Sequence, residues 1–315
     1  MQKTMLCAID CDMEERQALR AEAERAALPL TFAGWSDWMA VPRGACVSVR
    51  HAAYVDETVL RALRARDVTR LLTRSVGVDH IDLATASRLG MRVHGVPYSP
   101  DCVAEYALTL MLMAARNLGA VLSRVHRGDY RLEPHRAREL RDMRVGVVGT
   151  GRIGARVIAL LRAFGCTVAA YDRVHTEDVN YLPLDELLAQ SDLVTLHLPL
   201  TAATRHMLNR ERIARMKPGA LLVNVSRGGL VDTSALCEAL ETGRLSGAAL
   251  DVVEGEQGWF YRDRSGETPT FARLTALSNV ILTPHTAFYT GRALADVAKN
   301  TVEMCLEEEG RVANG

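Results

Sequence analysis

The chain of 315 residues is long enough for two domains, and its 48% hydrophobic content allows both to bury sizeable cores. Lys and Arg number 38 and so do Asp and Glu, which argues against a basic surface for nucleic acid or anionic lipid. No stretch approaches the roughly 20 uninterrupted apolar residues of a membrane span, and Asp10 and Asp12 interrupt any N-terminal signal peptide. We therefore expect a cytoplasmic protein without membrane or nucleic-acid partners.

The seven cysteines are scattered along the chain without a CxxC pair or a nearby CxxH. This spacing predicts neither a metal site nor a disulfide framework. Because none of them lies in a recognisable nucleophile motif, we expect small buried thiols in a reducing compartment.

Short β-rich apolar runs alternate with longer helical patterns, which predicts an α/β fold with parallel sheets covered by helices on both faces. Five strands are predicted in the first third of the chain, at residues 5–10, 31–35, 45–49, 70–74 and 91–96. Six more follow, at residues 144–148, 167–171, 193–198, 220–225, 248–252 and 280–283. Six successive strands match a complete dinucleotide-binding sheet.

A long helix is predicted between the two series, where residues 99–117 read SPDCVAEYALTLMLMAARN. Ser99 can cap this helix, Pro100 suits its first turn, and Glu105 adds early negative charge. The body of the helix is apolar nearly all round. We therefore expect it to be buried on more than one side, between domains or against another subunit.

The sequence VGVVGTGRIG carries a GxGxxG motif between a predicted strand and a predicted helix. In that context Gly149 permits a tight turn, Gly151 lets the backbone approach a pyrophosphate, and Gly154 allows the helix to pack closely on the strand. The helix N-terminus then faces the anion, and Arg152 and Ile153 offer it backbone amides. A glycine-rich turn without a ligand is the alternative, which the strand-to-helix context disfavours.

The next predicted strand leads into Asp172, about 20 residues beyond the motif, where an acidic side chain can bind the adenosine ribose hydroxyls. Its charge would repel a 2′-phosphate, which favours NAD as the cofactor. Arg173 and His175 follow closely, and a cation beside the ribose can instead pair with a 2′-phosphate. NADP therefore stays possible.

Three ionisable residues follow the later strands, at the sheet edge where ligands of open α/β folds bind: Arg227 in NVSRGGLVD, Glu256 in ALDVVEGE and His285 in TPHTAFY. Reduction of a keto acid needs a cation for the substrate oxygens, a proton donor for the alkoxide, and a group that keeps this donor charged. Arginine, histidine and glutamate supply these roles in that order. Taken singly, Arg227 could form a surface ion pair, Glu256 could lie in a solvated loop, and His285 could be a strand-end histidine without a catalytic role. Their occurrence after successive strands favours catalysis.

At these residues the sequence resembles the D-specific 2-hydroxyacid dehydrogenase family, and the similarity runs through nearly the whole chain. The matching blocks are RSVGVDHID, VPYSPDCVAEY, VGVVGTGRIG, HLPLTAATRHML, NVSRGGLVD, ALDVVEGE and TPHTAFYT. The resemblance implies that Arg227, Glu256 and His285 are the catalytic residues. It also implies further substrate contacts at the backbone amides of Val76 and Gly77 and at Tyr98, and further cofactor contacts at Arg173, Pro199, Val225, Asp251 and His285, with Asp251 near the nicotinamide.

The resemblance further implies a Rossmann cofactor domain at residues 99–288 and a discontinuous, flavodoxin-like substrate domain at 1–98 and 289–315. Both would be doubly wound parallel-sheet domains, with the active site in the cleft between them. Hinge closure would exclude water during hydride transfer. Family members are usually homodimers, which would give the apolar helix at 99–117 a partner.

Within the family, TRSVGVDHID, YSPDCVAEY, AFGC, VNYLPLDELL and the WFY at 259–261 most resemble the vancomycin-resistance D-lactate dehydrogenases. This implies pyruvate as the substrate and D-lactate for peptidoglycan precursors ending in D-Ala-D-lactate. Related resistance enzymes can carry a small polar residue in place of Asp172 and then use NADPH.

Two alternatives stay open. One is a D-2-hydroxyacid dehydrogenase for bulkier 2-keto acids, or for glyoxylate or hydroxypyruvate, with Arg50, His51 and Tyr289 as candidate pocket residues. The other is a non-enzymatic, dinucleotide-sensing protein that resembles transcriptional corepressors. Such a protein would not require an intact Arg–Glu–His trio, which this chain retains.

Overall fold

The computed structural model describes residues 4–132, 136–256, 261 and 269–307. The chain forms two compact units, one made of Met1–Ser99 and Tyr289–Gly315 and the other of Pro100–Phe288. Each unit contains one parallel sheet with helices around it. The predicted α/β fold with two parallel-sheet domains is therefore confirmed.

The first unit has a five-stranded sheet in the order β2-β1-β3-β4-β5, formed by β1 (Leu6–Ile9), β2 (Leu30–Ala33), β3 (Cys46–Val49), β4 (Arg70–Thr73) and β5 (Arg92–Gly95). Its helices are α1 (Met13–Arg25), α2 (Glu57–Ala65), α3 (Leu83–Arg88) and the C-terminal helix Gly291–Leu306. All four residues of β1 and of β3 are buried, as expected for central strands covered on both faces. The C-terminal helix packs against α1, which makes this unit discontinuous in sequence.

Aspartate side chains begin the three helices α1, α2 and α3. Asp12, Asp56 and Asp82 each accept a hydrogen bond from the backbone amide three residues later. Glu15 completes a capping box with Asp12, so two amides that would otherwise lack helical partners are satisfied. Local sequence therefore determines where these helices start.

The second unit has a six-stranded sheet in the order β11-β10-β9-β8-β6-β7, formed by β6 (Arg144–Val148), β7 (Thr167–Tyr171), β8 (Leu193–Leu196), β9 (Ala220–Asn224), β10 (Leu245–Leu250) and β11 (Val280–Leu282). Its helices are α4 (Asp101–Ala115), α5 (Leu118–His126), α6 (Arg152–Ala163), α7 (Leu184–Gln190), α8 (Arg210–Arg215), α9 (Thr233–Glu241) and α10 (Pro269–Ala276). Strand order reverses between β6 and β8, so the carboxyl ends of these strands flank the point where open α/β sheets bind ligands.

Most predicted strands differ from the observed ones at an end, and two differences from the sequence prediction affect local structure. Strand β10 begins at Leu245 rather than at 248, with a shift of register between Leu245 and Gly247. Helix α4 begins at Asp101 with Pro100 at its N-cap, so the prediction that Ser99 occupies the cap position and Pro100 the first turn is wrong by one residue. The Ser99 backbone amide instead donates to the Asp296 carboxylate at 2.9 Å, within the first unit.

Helix α4 buries one apolar face inside the second unit, where it packs against α6, β9 and β10. Met111 is fully buried in this face, in agreement with a packing role.

No single helix in the described ranges is long and apolar enough to cross a membrane. Helices α4 and α5 meet the length and composition criteria only as a pair, and the pair is bent by 68°.

Asp192 ties three segments of the second unit together. Its carboxylate accepts hydrogen bonds from the Arg144 amide at 2.8 Å and from the Lys217 ammonium at 2.6 Å, and it pairs with Arg138 at 2.8 Å. Burial alone would raise the pKa of Asp192, but these donors outweigh burial and lower the pKa to about 2. Because this value lies below that of an unfolded aspartate, the stabilisation is present above about pH 4 and is lost as the pH falls towards 2.

We expect Asp192→Asn to lower the free energy of unfolding by up to about 2 kcal/mol at neutral pH. The difference from the wild type should shrink as the pH falls below about 4, where the wild-type carboxylate also becomes neutral. Urea denaturation across a pH series measures both effects. Asp185→Asn is the matched control, because Asp185 makes its ion pairs with Arg212 and Arg215 at the surface. A pH-independent loss in Asp192→Asn would contradict the electrostatic explanation.

Candidate active site

The glycine loop connects β6 to α6, and glycine is present at its three positions for different structural reasons. Gly149 has φ +98°, and a Cβ atom there would lie 2.6 Å from the His197 carbonyl oxygen. A Cβ atom at Gly154 would lie 1.9 Å from the Gly149 oxygen, so α6 can pack on the loop only with glycine at this position. A Cβ atom at Gly151, in contrast, would meet nothing within 4 Å.

The open space at Gly151 is where a dinucleotide would approach. Gly151 is also the N-cap of α6 and makes no side-chain cap, so the first amides of α6, at Arg152 and Ile153, lie next to this space. Helix N-termini carry a partial positive charge and bind phosphates through such amides. The residues therefore fit the pyrophosphate of NAD, which would bind at this loop.

Asp172 follows β7, and its carboxylate is held in place by its neighbours. One oxygen accepts from the Thr150 amide at 2.6 Å, and the other accepts from the amides of Arg173 and Val174 at 2.6 and 3.3 Å. Burial would raise the pKa of Asp172, but hydrogen bonds from these three residues lower it below the ordinary value. The carboxylate is therefore ionised near neutral pH, in keeping with a ribose ligand that would repel a 2′-phosphate.

Tyr181, which sequence reasoning did not assign to the site, lies near Asp172 and carries His175 on its ring. The Tyr181 hydroxyl is 3.0 Å from the Thr150 hydroxyl, which in turn contacts Asp172. The His175 ring stacks on Tyr181, with centroids 4.1 Å apart and planes at 6°. His175, which the sequence offered as a cation for a 2′-phosphate, is thus held against an aromatic ring, while the Arg173 side chain is exposed.

His197 was also missed by sequence reasoning, although it begins the HLPLT block. It follows β8, and its Nε2 lies 2.9 Å from the Thr195 hydroxyl. Burial lowers the pKa of His197 to about 3, so the imidazole is neutral. Its Nδ1 is buried without a hydrogen-bond partner among the described residues, and its backbone oxygen is the atom that excludes a side chain at Gly149.

The turns that carry Arg227, Glu256 and His285 follow three neighbouring strands, β9, β10 and β11. Backbone hydrogen bonds continue across the strand ends, from the Asp251 amide to Asn224 at 2.9 Å and from the His285 amide to Asp251 at 2.7 Å. Parallel strands end at a common edge of the sheet. The fold therefore collects the three turns at one edge, as the sequence predicted for a ligand-binding edge.

Glu256 and His285 form a direct pair, with Glu256 Oε1 2.6 Å from His285 Nδ1. The second carboxylate oxygen, Oε2, accepts from the Val253 amide at 2.6 Å, so the carboxylate cannot turn away from the ring. An ionised carboxylate only accepts hydrogen bonds, and Nδ1 must therefore carry a proton. In the imidazolium form the second proton is on Nε2, the ring nitrogen that Glu256 does not contact.

Asp251 organises the turn that carries His285, a role that the sequence did not reveal. This fully buried carboxylate accepts from the Thr283 hydroxyl at 2.6 Å, the Thr286 amide at 2.9 Å and the Ala287 amide at 2.8 Å. His285 has φ +52°, a left-handed conformation that is unfavourable for a side chain with a Cβ atom. The hydrogen bonds to Asp251 hold the backbone in this conformation.

Arg227 lies half-buried at the turn after β9. The Asn224 side chain donates to the Arg227 carbonyl at 2.9 Å, and the guanidinium donates to the Ser226 carbonyl at 2.7 Å. A Cβ atom at Gly228 would lie 2.0 Å from the Val253 carbonyl carbon. Glycine is therefore required after Arg227, because this turn packs directly on the turn that leads to Glu256.

The remaining predicted residues divide between the two units. In the second unit, Val225 is buried just after β9 and Pro199 is exposed. Val76, Gly77 and Tyr98 belong to the first unit, together with the candidate pocket residues Arg50, His51 and Tyr289. Of the WFY segment, positions 259 and 260 lie outside the described residues.

Comparison with known proteins identifies the family. Residues 108–287 match the family model for the D-isomer specific 2-hydroxyacid dehydrogenase, NAD binding domain. The chain is 45% identical over 308 residues to a D-specific alpha-keto acid dehydrogenase of Enterococcus faecium, which covers 96% of each protein. It is 42% identical over 270 residues to a D-lactate dehydrogenase of Lactobacillus delbrueckii subsp. bulgaricus, with 82% of this chain and 81% of that protein covered.

Among solved structures, D-lactate dehydrogenase from Aquifex aeolicus, complexed with NAD and lactic acid, aligns with a TM-score of 0.84 and 35% identity over 95% of this chain and 93% of that one. The agreement extends over both units rather than over the glycine loop alone. The predicted resemblance is thus confirmed, and the non-enzymatic alternative loses its support. The chain belongs to the D-isomer specific 2-hydroxyacid dehydrogenase family and is an NAD-dependent oxidoreductase.

Proposed function

We propose that this protein is a cytoplasmic D-lactate dehydrogenase that reduces pyruvate to D-lactate with NADH. The observation that carries the proposal is the Glu256–His285 pair, 2.6 Å apart, at the same sheet edge as the Arg227 turn. The pair provides a proton donor, and the arginine provides a cation for the substrate oxygens. Relatives named as D-lactate dehydrogenases support the choice of pyruvate.

His285 is proposed as the residue that protonates the substrate oxygen. NADH, when bound, supplies the hydride that reduces the keto carbon. Because Glu256 accepts a hydrogen bond from Nδ1–H, the imidazolium donates its Nε2 proton to the developing alkoxide. In the reverse direction the neutral imidazole accepts the hydroxyl proton at the same atom.

Arg227 is proposed to bind the substrate carboxylate and to polarise the keto group. A guanidinium presents several N–H donors in one plane, which suits the two neighbouring acceptors of a 2-keto acid. The backbone amides of Val76 and Gly77, in the first unit, are proposed to bind the substrate carboxylate as well. Tyr98 is proposed to lie near the substrate, and Asp251 near the nicotinamide.

Steady-state rates with pyruvate, 2-ketoisocaproate, phenylpyruvate and glyoxylate test the substrate. We expect the highest kcat/KM with pyruvate, and chiral analysis should find D-lactate as the product. A pocket discriminates one methylene by only about 1–3 kcal/mol, so some turnover of the larger acids is compatible with the proposal. Rapid turnover of phenylpyruvate with negligible turnover of pyruvate would assign the enzyme to bulkier substrates.

The coenzyme preference is proposed to depend on Asp172. We expect Asp172→Ser to raise the KM for NADH about tenfold, the effect of losing roughly one charged hydrogen bond, and to lower the KM for NADPH. Side-by-side titrations of both coenzymes at saturating pyruvate measure the change. Glu177→Gln serves as the control, because it neutralises an exposed carboxylate after the same strand and leaves Asp172 intact. A wild type that uses NADPH as well as NADH would contradict this role.

A homodimer is proposed, with α5 in the contact. Leu118, Leu122 and Val125 are 36%, 44% and 40% exposed on this helix, and Tyr130 and Leu132 follow it with 77% and 96% exposure. Adjacent exposed apolar side chains of this size favour burial against another protein. Sedimentation should give about twice the chain mass of 34.6 kDa, whereas a monomer at micromolar concentration would rule out the dimer.

In the cell, the product is proposed to enter peptidoglycan precursors ending in D-Ala-D-lactate, which bind vancomycin poorly. The similarity to the Enterococcus faecium D-specific alpha-keto acid dehydrogenase supports this assignment. In a host that carries the other resistance genes but lacks its own D-lactate source, this enzyme should restore growth on vancomycin. The His285→Gln variant should not restore it, and failure of the wild-type enzyme to restore growth would refute the role.

A further inference from the structure

A chain of buried polar side chains lies beneath the segment Ser75–Gly77 in the first unit. Ser75 donates its hydroxyl proton to the Gly77 carbonyl at 2.7 Å. The Thr73 hydroxyl lies 3.2 Å from the Ser75 hydroxyl and 2.9 Å from His80 Nε2. Thr73, Ser75 and His80 are 0%, 8% and 7% exposed, so these side chains are largely shielded from water.

The direction of every hydrogen bond in this chain follows from the supply of protons. A hydroxyl has one proton, and Ser75 uses its proton on the Gly77 carbonyl, which can only accept. Thr73 must then donate to Ser75, and His80 must donate from Nε2 to Thr73. The geometry therefore requires a proton on His80 Nε2, and aligned donors of this kind strengthen one another.

The backbone of the same segment faces strand β5 with its carbonyl groups. The Ser75 carbonyl accepts from the Val96 amide at 3.0 Å, and a Cβ atom at Gly95 would lie only 2.4 Å from the Val76 carbonyl oxygen. The chain contains no cis peptide among the described residues, and in a trans peptide the N–H points opposite to the C=O. The amides of Val76 and Gly77 therefore point away from β5.

We propose that His80 is a positioning residue for substrate binding, acting through Thr73 and Ser75 on the Gly77 carbonyl at the end of the segment that carries the Val76 and Gly77 amides. The inference rests on the proposed function, in which these two amides bind the substrate carboxylate. The neighbouring strand β5 orients the carbonyl groups of Ser75 and Val76, and with them the amides of Val76 and Gly77. The hydroxyl chain holds the Gly77 carbonyl, and so fixes the C-terminal end of the segment that carries these amides. His80 completes that hydrogen-bond chain as its terminal donor, and the His80 carbonyl accepts from the Val55 amide at 2.8 Å.

The first test compares substrate binding in variants of Thr73, Ser75 and His80. Thr73→Val and Ser75→Ala should each raise the KM for pyruvate about tenfold, the effect of losing roughly one well-formed hydrogen bond, and should change kcat and the KM for NADH little. His80→Leu should behave in the same way. His80→Gln should restore a KM near that of the wild type, because its amide can donate from the position of Nε2.

Thr301→Val is the matched control, since the Thr301 hydroxyl is also buried in the first unit but has no hydrogen-bond partner among the described residues. Its KM for pyruvate should equal that of the wild type. A wild type that reduces pyruvate, together with an unchanged KM in Thr73→Val and Ser75→Ala, would refute the positioning role alone. A wild type that reduces no 2-keto acid would refute the proposed function.

The second test is carried out on the wild-type protein without substrate. It uses the His80→Gln variant only to assign the NMR signals of His80. Nitrogen-15 NMR of the wild type, with the His80 ring assigned by its loss in His80→Gln, reports which ring nitrogen carries the proton. A protonated Nε2 is the expected result. An unprotonated Nε2 would reverse the hydrogen-bond chain and overturn the inference.

Discussion

The His285→Gln variant is expected to lower kcat for 2-keto acid reduction by about 1,000-fold, within the range attributed to general acid catalysis. Glutamine can still donate a hydrogen bond from its side chain, but it cannot transfer a proton to an alkoxide at neutral pH. The effect should fall on kcat because proton transfer accompanies the chemical step. Steady-state kinetics at saturating substrate and coenzyme measure it.

The binding of NADH should survive this substitution, because the glycine loop and Asp172 lie on other strands of the sheet. Fluorescence titration of NADH should therefore give a dissociation constant close to that of the wild type. His94→Gln is the matched control, since His94 is an exposed histidine of β5 in the first unit, and it should keep wild-type kcat. Unchanged keto-acid reduction in His285→Gln would show that another group donates the proton.

For Arg227→Lys we expect kcat/KM for the keto acid to fall by about 1,000-fold, comparable to the loss of a preorganised donor at a developing oxyanion. Lysine keeps the charge but replaces the planar fork with a single ammonium group. It therefore cannot hold the carboxylate and the keto oxygen in one plane. The loss should appear in both KM and kcat, because binding and polarisation of the carbonyl use the same side chain.

Arg210→Lys provides the control for this measurement. Arg210 pairs with Glu238 on the surface of the second unit, so its replacement should leave kcat/KM unchanged. Thermal unfolding of both variants should match the wild type, because Arg227 is half-buried and its backbone is held by Asn224. If Arg227→Lys retained wild-type kcat/KM, the guanidinium would not bind the substrate oxygens.

Some features of the site were predictable because they depend on local sequence. The glycine spacing after a strand determines the loop before α6, since Gly149 needs a positive φ and Gly154 needs close packing. The positions of Arg227, Glu256 and His285 after successive strands were predictable for the same reason, because parallel strands deliver their carboxyl ends to one edge. Strand boundaries were less certain where glycine interrupted the apolar pattern, as at the start of β10.

Other features depend on contacts between residues far apart in the sequence. Asp251 appeared in the sequence only as a family residue near the nicotinamide, whereas its oxygens hold the turn of His285. Nothing in the order of residues shows that Gly228 touches Val253 or that His80 reaches Thr73. Each of these contacts requires distances of about 3 Å, which only the packed backbone determines.

The sequence by itself determined the α/β class, the dinucleotide loop, the acidic residue after β7 and the identity of the three ionisable residues. These follow from residue periodicity, glycine conformation and the chemical character of side chains at strand ends. Tertiary structure decided that Glu256 lies 2.6 Å from His285, that Asp251 holds this histidine in a left-handed conformation, and that a chain of hydroxyl groups supports Gly77. The physical reason is that hydrogen-bond direction and ring tautomer depend on which donors and acceptors meet, and strands distant in sequence bring them together.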